Sequence, residues 1–341
     1  MANLAIIIPT RNERENIRSL VEKIEVLLSD IDWEIVFVDD NSVDGTIHEL
    51  VVLARQNHRI RFIERIGRHG LSSACIEGFL STSKDFIAVM DADLQHDEAL
   101  LPLLLKKIQS EPKLDIVIGS RFIEGGGVGN WSKPRLTLSR LGKWVSSLIL
   151  PENVSDPMSG FFVARREFIW LLTPKLSGRG FKILLDILIS AGETVRFAEL
   201  PYQFRERQKG ESKLTTFVAA EFIALILEKL LGRVLPFRFI CFISVGAIGM
   251  LAHLTVLALM MALSTEFWKA QMLAAVSAMT VNFFLNNIFT YQDQQITGFS
   301  VCRGLILFYS LCSGGFLINM TIATHLYQIG GSWWLAGLAG G

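Results

Sequence analysis

Asp91-Ala92-Asp93-Leu94-Gln95-His96 is where this chain gathers groups able to do chemistry. Two carboxylates stand two residues apart, with an amide oxygen two residues further on. They follow Asp85-Phe86-Ile87-Ala88-Val89-Met90, an apolar run that reads as a buried strand. A strand tail and a turn can aim both acids at one point. In open α/β sheets, ligands bind outside the carboxyl ends of the strands. Two carboxylates and one amide oxygen form a hard, all-oxygen donor set suited to Mg²⁺ or Mn²⁺ carrying a diphosphate. The bland alternative is a loop of solvated acids, and the rest of the chain weighs against it.

Two more strand-like runs end in polar residues. Leu4–Thr10 runs into Pro9-Thr10-Arg11-Asn12-Glu13, and Glu34–Asp40 into Asp39-Asp40-Asn41-Ser42. Acids at such ends suit a ribose diol or a base edge. No Gly-x-Gly-x-x-Gly follows the first strand and no Walker-type phosphate loop is present, which disfavours a dinucleotide fold. The elements that must position these groups alternate. Strands are predicted over Leu4–Thr10, Glu34–Asp40, Arg61–Glu64, Phe86–Met90 and Asp115–Gly119, with helices near Glu13–Leu28, Thr46–Gln56, Leu71–Thr82 and Glu98–Gln109. That alternation predicts a mainly parallel sheet covered by helices on both faces. Asp44 is the expected cap of the second helix. Gly125-Gly126-Gly127 and Gly129 predict a mobile loop beside the site. Further strand-like runs lie near Gly160–Ala164 and Val195–Phe204.

The 341 residues carry no net charge, so nothing points to nucleic acid. The average hides an asymmetry. From Phe237 onward the basic residues are Arg238, Lys269 and Arg303 and the acids Glu266 and Asp293, leaving 30 basic and 31 acidic residues in the first 236. The first part reads as a soluble domain and the rest as membrane. Leu214–Leu235 mixes apolar positions with Glu221, Glu228, Lys229 and Arg233 and suits a helix lying on a bilayer. Phe239–Leu263, Phe267–Phe289 and roughly Gly304–Ile329 each reach the about 20 residues needed to cross one. Ser332-Trp333-Trp334 followed by small apolar residues reads as the opening of a fourth, truncated span. Leu4-Ala5-Ile6-Ile7-Ile8 is too short for a secretory signal, and Arg233, Arg238 and Arg303 agree with a cytoplasmic soluble domain. The expected division is a soluble domain over 1–213, interfacial helices over 214–235 and a transmembrane domain over 236–341. The four cysteines show no paired spacing and read as small buried hydrophobes.

Together these residues resemble the inverting glycosyltransferases with a GT-A fold, and among them the polyprenol-phosphate mannosyltransferases, the dolichol-phosphate mannose synthases. The resemblance rests on Ile8-Pro9-Thr10-Arg11-Asn12-Glu13, Val38-Asp39-Asp40-Asn41-Ser42, Gly70-Leu71-Ser72-Ser73-Ala74, Met90–His96 and Gly119-Ser120-Arg121. It continues through Asp156-Pro157-Met158-Ser159-Gly160-Phe161-Phe162, Gly180-Phe181-Lys182-Ile183-Leu184 and Arg207-Gln208-Lys209-Gly210-Glu211-Ser212-Lys213-Leu214. It covers about the first 215 residues. The apolar part looks like the small four-span GtrA-like family, whose polar patch Asn282-Phe283-Phe284-Leu285-Asn286-Asn287 matches. The resemblance implies a Rossmann-like, mainly parallel sheet domain followed by an α-helical transmembrane domain. It implies that Pro9, Arg11, Glu13, Val38 and Asp40 line a nucleoside pocket. Asp91, Asp93 and Gln95 would bind donor diphosphate and Mg²⁺ or Mn²⁺. Arg121, Arg135, Ser139 and Arg207, with Lys213 beside them, would hold the lipid phosphate or the donor phosphates. The catalytic set is then Asp91, Asp93, Gln95, Arg121 and Arg207.

The groups themselves say what such a site must supply. Transfer of a sugar to an alcohol needs a general base, because a hydroxyl is protonated at neutral pH. A phosphate monoester is already an anion and needs only orientation and partial neutralisation by arginine forks. The leaving nucleoside diphosphate needs a divalent cation. Asp91 and Asp93 would then act electrostatically, and in-line attack on an α-linked donor would give a β-linked lipid phosphosugar. The Ser155-Asp156-Pro157-Met158-Ser159-Gly160-Phe161-Phe162 run resembles the mannosyl members of the family more than the others, and that resemblance implies GDP-mannose as the donor. The alternatives are a UDP-sugar giving a glucosyl or N-acetylhexosaminyl lipid, and, from another class, a lipid-sugar translocator or scaffold. A processive polysaccharide synthase is disfavoured by the absence of Gln-x-x-Arg-Trp.

Overall fold

A computed structural model describes residues 3–68, 70–129, 146, 150, 154–178, 180, 182–205, 237–290 and 296–340. The chain divides into two compact units, Met1–Leu230 and Leu231–Gly341. The division falls inside the predicted interfacial segment 214–235, which itself lies outside the described residues.

The first unit is built on seven strands: β1 (Asn3–Thr10), β2 (Asp32–Asp39), β3 (Ile60–Glu64), β4 (Phe86–Val89), β5 (Ile116–Ser120), β6 (Phe162–Arg165) and β7 (Phe197–Pro201). Their order is β3-β2-β1-β4-β6-β5-β7. Every pairing is parallel except those of β6, which runs antiparallel between β4 and β5. The helices are α1 (Arg14–Leu27), α2 (Thr46–Gln56), α3 (Leu71–Leu80), α4 (Leu101–Ser110), α5 (Arg166–Leu172) and α6 (Ile183–Ala191).

Strand β1 shows why the sheet is covered on both sides. Leu4, Ile6 and Ile8 pack with Ile17, Leu20 and Ile24 of α1 and with Leu101 and Leu104 of α4. Ala5 and Ile7 face the other way, onto Ala74, Cys75 and Phe79 of α3 and Leu184 and Ile187 of α6. Strands buried on both faces read as unbroken apolar runs rather than alternating ones. Helix α3 lies so close that a Cβ at Gly78 would stand 2.3 Å from Ile7 Cγ2.

The structure adjusts several expectations. β7 is shorter than Val195–Phe204, because Tyr202–Phe204 leaves the sheet to pair with Gly127: Gly127 N–H donates to Tyr202 O at 3.0 Å and Phe204 N–H to Gly127 O at 2.9 Å. The glycine-rich loop is therefore pinned along this stretch rather than loose. At the start of α2, Asp44 stands one residue ahead of the cap, which is Gly45 in the left-handed region. Its carboxylate still accepts from Thr46 N–H at 3.0 Å and from Arg14 N–H at 3.2 Å. Of the cysteines with described side chains, Cys75 is buried, Cys312 half-buried and Cys302 exposed.

The second unit is helical: α7 (Phe237–Ala262), α8 (Phe267–Leu285), α9 (Ser300–Gln328) and α10 (Trp333–Gly340), with a π-helical turn over Asn286–Thr290 after α8. Among the described residues two stretches are long and apolar enough to cross a membrane, Phe242–Ala262 and Ser300–Gln328. The predicted second span, Phe267–Phe289, is helical to Leu285 but is not one of them, since Lys269, Gln271 and Asn282 dilute its hydropathy. Of these, Gln271 turns inward: it is fully buried and its Nε2 donates to Asn319 Oδ1 at 3.0 Å, whereas Lys269 stays exposed beside Glu266. Asn282 packs against the bare backbone of Gly249, where a Cβ would stand 2.1 Å from its Oδ1.

Candidate active site

The carboxyl ends of β1, β2, β3, β4, β5 and β7 share one edge of the sheet, and antiparallel β6 starts there. The chain leaves β1 outward to β2 on one side and lies beside β4 on the other, so the crevice between β1 and β4 is the topological switch point where such sheets bind ligands.

On the β1–β2 side the loops are locked to each other. Asn12 and Asn41 adopt positive φ values of 55° and 56°. Asn12 N–H donates to Ser42 Oγ at 2.8 Å, and Val43 N–H donates to Asn12 Oδ1 at 3.0 Å. Fully buried Asp39 accepts from Ser42 Oγ at 2.6 Å and Ser42 N–H at 2.8 Å. Asp40 takes the N–H of Gly70 at 2.7 Å and also pairs with the buried guanidinium of Arg65. Arg65 reaches on to Gly70 O at 3.0 Å and Ser73 Oγ at 2.6 Å. Asp40 thus ties the β3–α3 loop to the end of β2.

Of the nucleoside-pocket candidates, Pro9 is half-buried, Arg11 exposed and Glu13 half-buried, all on the tail of β1. Val38 is fully buried beneath that edge, paired between Pro9 and Ile63 with its side chain in the core beside α3, so it supports the pocket from below rather than facing a guest.

At the end of β4 the chain turns through Leu94, with φ of 61°. Asp93 and Gln95 are buried, whereas Asp91 keeps 36 % of its side chain exposed. Gln95 N–H donates to Asp93 Oδ1 at 3.1 Å, and Gln95 Nε2 donates to Arg205 O at 3.0 Å. With its NH₂ engaged, the amide has Oε1 as the atom it could offer to a cation. Although one side of it faces solvent, the protein packed around the Asp91 carboxyl strips enough water to raise its pKa from the ordinary value, and Asp93 adds to the rise; His96, Lys182 and Arg121 pull the other way.

Arg121, just past β5, forks onto Asp156: Nε to Oδ2 at 2.7 Å and Nη2 to Oδ1 at 2.8 Å. Both are buried, and the carboxylate outweighs burial to raise the arginine's pKa. Asp156 is held in turn by Glu199, whose carboxylate accepts from Asp156 N–H at 3.3 Å and Ser155 Oγ at 2.6 Å. Arg121 also lies over the ring of Phe204 at 5.4 Å.

An aromatic wall completes the site. His96 stacks on Phe161 with centroids 5.1 Å apart and meets Tyr202 and Phe204 edge-on, each at 5.8 Å. The buried Tyr202 hydroxyl has no hydrogen-bond partner among the described residues. Arg205 closes the far side by pairing with Asp97 at 2.7 Å and Glu98 at 2.5 Å. Arg135, Ser139, Arg207 and Lys213 lie outside the described residues.

A divalent cation fits this donor set. Asp91, Asp93 and Gln95 offer two carboxylates and one amide oxygen within five residues. Among the described residues no cluster of three or more His, Cys, Asp or Glu side chains forms a closed metal cage. An open, oxygen-only half-site is what Mg²⁺ or Mn²⁺ uses when substrate phosphates complete its shell.

Sequence reasoning singled out Asp91, Asp93, Gln95 and Arg121, and the structure brings them to one edge. It missed Arg65, His96, Asp156, Glu199 and Tyr202 as parts of the site. Gly160 carried a signal: a residue without a Cβ beside an aromatic pair marks a close approach, and here a Cβ would stand 3.3 Å from both Asp91 Oδ2 and His96 Cε1.

The sheet is mainly parallel, with paired carboxylates at its switch point and an arginine on the same edge, and residues 5–172 match the model of glycosyl transferase family 2. Residues 241–341 match the GtrA/DPMS transmembrane domain. The protein is a glycosyltransferase with a GT-A domain and a membrane domain. It is 35% identical over 339 residues to a dolichol-phosphate mannosyltransferase of Pyrococcus furiosus, covering 99% of this chain and 94% of the relative. It is 31% identical over 233 residues to one of Saccharomyces cerevisiae, covering 66% of this chain and 85% of the relative. The chain belongs to the dolichol-phosphate mannosyltransferase family. The sheet unit also resembles glucosyl-3-phosphoglycerate synthase from Mycobacterium tuberculosis, solved with Mn²⁺, UDP and phosphoglyceric acid. That likeness has a TM-score of 0.53 at 19% identity, covering 67% of this chain and 78% of that one.

Proposed function

We propose that this enzyme transfers mannose from GDP-mannose to a polyprenyl phosphate such as dolichyl phosphate, at the cytoplasmic face of a membrane, giving a β-linked lipid phosphomannose. The observation that carries this reading is the end-to-end likeness to the Pyrococcus furiosus enzyme, spanning both units. The site supports it chemically. Asp91, Asp93 and Gln95 would hold a Mg²⁺ or Mn²⁺ ion, which when bound neutralises the charge that develops on the departing nucleoside diphosphate. Asp93, fixed by Gln95 N–H, and Gln95, fixed by Arg205 O, present their oxygens with little freedom left to lose.

The tail of β1, with Pro9, Arg11 and Glu13, and the end of β2, with Val38 and Asp40, would bound the nucleoside. Asp40 acts there through the β3–α3 loop it ties down. The acceptor is an anion and loses no proton on attack, so no general base is assigned. Arg121 and Arg207, with Arg135, Ser139 and Lys213, would orient the acceptor phosphate. The Asp156 fork holds Arg121 rigid at that position. The long acceptor chain stays in the bilayer, which is the reason the catalytic unit is joined to a membrane domain.

The test is transfer of radiolabelled sugar from GDP-mannose, and in parallel from UDP-glucose, to a polyprenyl phosphate, with Mg²⁺ or Mn²⁺ and again with EDTA. The expected result is EDTA-sensitive label in the lipid phase from GDP-mannose, with a β anomeric signal in the product. Label from UDP-glucose alone would replace the donor and keep the mechanism; an α-linked product would overturn inversion. No transfer from either donor would turn the reading toward a lipid-sugar translocator or scaffold.

A further inference from the structure

His96 takes no part in the reaction above, yet it is among the most firmly held side chains at the site. Its ring is almost wholly buried. Nδ1 accepts the backbone N–H of Asp91 at 3.1 Å, so Nδ1 carries no proton and the neutral ring keeps its proton on Nε2. Nε2 stands 3.7 Å from Oδ2 of the same Asp91. One imidazole therefore addresses one aspartate at its main chain and its side chain together.

Three aromatic rings fix the imidazole plane. Phe161 stacks on it at an interplanar angle of 13°, and Tyr202 and Phe204 meet it at 72° and 69°. Gly160 makes the contact possible, because any Cβ there would crowd both Asp91 Oδ2 and His96 Cε1. A histidine kept only for packing has no reason to turn both nitrogens to one neighbour. Burying an imidazole among aromatics costs hydration that a phenyl ring would not lose.

We infer that His96 is a positioning residue for the diphosphate–metal half-site: its Nε2–H engages Asp91 Oδ2 and fixes the rotamer in which Asp91 offers its other oxygen. The 3.7 Å separation is long for a hydrogen bond and closes when a cation draws the carboxylate into place, as catalytic contacts commonly tighten on loading. This inference rests on the reading that Asp91 helps to hold the cation. Partners that orient ligating side chains are worth about 10–100-fold in metal affinity.

The experiment is Mn²⁺ titration of the full-length protein in detergent, with GDP present, following free Mn²⁺ by its paramagnetic resonance signal, with thermal unfolding measured alongside. His96→Gln places an N–H donor near the Nε2 position. His96→Asn keeps an acceptor near Nδ1 and loses the distal donor. His96→Phe keeps the ring and loses both. His96→Gln is expected to bind Mn²⁺ within about threefold of the parent, while His96→Asn and His96→Phe weaken it about 10–100-fold with little change in Tm. Should His96→Phe not fold, the Gln and Asn variants carry the comparison.

Asp91→Asn is the control. If it weakens Mn²⁺ binding and His96→Asn and His96→Phe do not, the inference fails alone. If all three His96 variants weaken binding in step with a falling Tm, the ring is packing and the inference is overturned. If Asp91→Asn leaves Mn²⁺ binding intact, the cation reading of the site falls, and this inference with it.

Discussion

Asp91 answers to two opposed demands. The proposed cation would need its carboxylate ionised, while loss of water around the carboxyl and the charge of Asp93 favour the proton. The folded pKa lies above the unfolded value, so ionisation costs the metal-free fold stability at neutral pH, and the cost disappears as pH falls through the folded pKa. Asp91→Asn is therefore expected to raise the Tm of the metal-free protein at pH 7, with the gain shrinking on acidification. The same substitution should lower transfer by about 10²–10³-fold, the usual loss when one preorganised electrostatic partner is removed. Thermal unfolding in EDTA across pH 4–8, beside the transfer assay, checks both; a Tm that falls at pH 7 would refute the account. Asp91, Asp93 and Gln95 were legible in the sequence because their spacing is local and follows a strand. Asp156 and His96 were not assigned roles, for two different reasons. Asp156 meets Arg121 across 35 positions of chain, a pairing only the fold creates. His96 is local, but its meaning comes from Phe161, Tyr202 and Phe204, which arrive on other elements.

The same division runs through the elements. Strands β1, β2 and β4 announced themselves as apolar runs ending in polar residues, and their boundaries fall close to expectation. The insertion of antiparallel β6 between β4 and β5 was not legible, since a run such as Phe162–Arg165 carries no mark of its direction. That insertion matters for the site, because it brings the Asp156–Gly160 turn to the edge where Arg121 and Asp91 stand. The fit of α3 on the sheet was equally silent in the sequence, although Gly78 stood in the middle of a helix where alanine would serve better. With Ile7 Cγ2 only 2.3 Å from where a Cβ would stand, Gly78→Ala has to push α3 away from β1. The expected cost is about 1–3 kcal/mol, the range for overpacking a filled core, in place of the small gain alanine brings to an open helix. Thermal or denaturant unfolding reads the sign directly. Because Leu71 begins α3 just beyond Gly70, whose N–H donates to Asp40, the same variant should raise KM for the nucleotide sugar more than it lowers kcat.

Taken as one molecule, the chain joins a charged unit to one nearly free of charge, and that contrast was visible in composition before any element was assigned. It accounts for the membrane domain but not for how many helices cross, since α8 carries inward polar groups that hydropathy alone penalises. The consequence for activity follows from the proposed acceptor. Each buried CH₂ holds a lipid in the bilayer by about 0.8 kcal/mol, so a long polyprenyl phosphate never leaves the membrane, whereas a short isoprenyl phosphate dissolves. Tethering the catalytic unit to the same bilayer turns encounter with the long acceptor into a local event, an advantage of about 10²–10⁴-fold without any new contact. A fragment ending at Lys213, ahead of the predicted interfacial segment and within the first compact unit, is therefore expected to match the full chain within a few-fold on the short acceptor. On a long polyprenyl phosphate in vesicles it should fall behind by at least about tenfold. Measuring kcat/KM for both acceptors with both proteins decides it. Equal losses on the two acceptors would mean that the membrane domain supports the catalytic fold itself, and equal activity on both would remove localisation as its role.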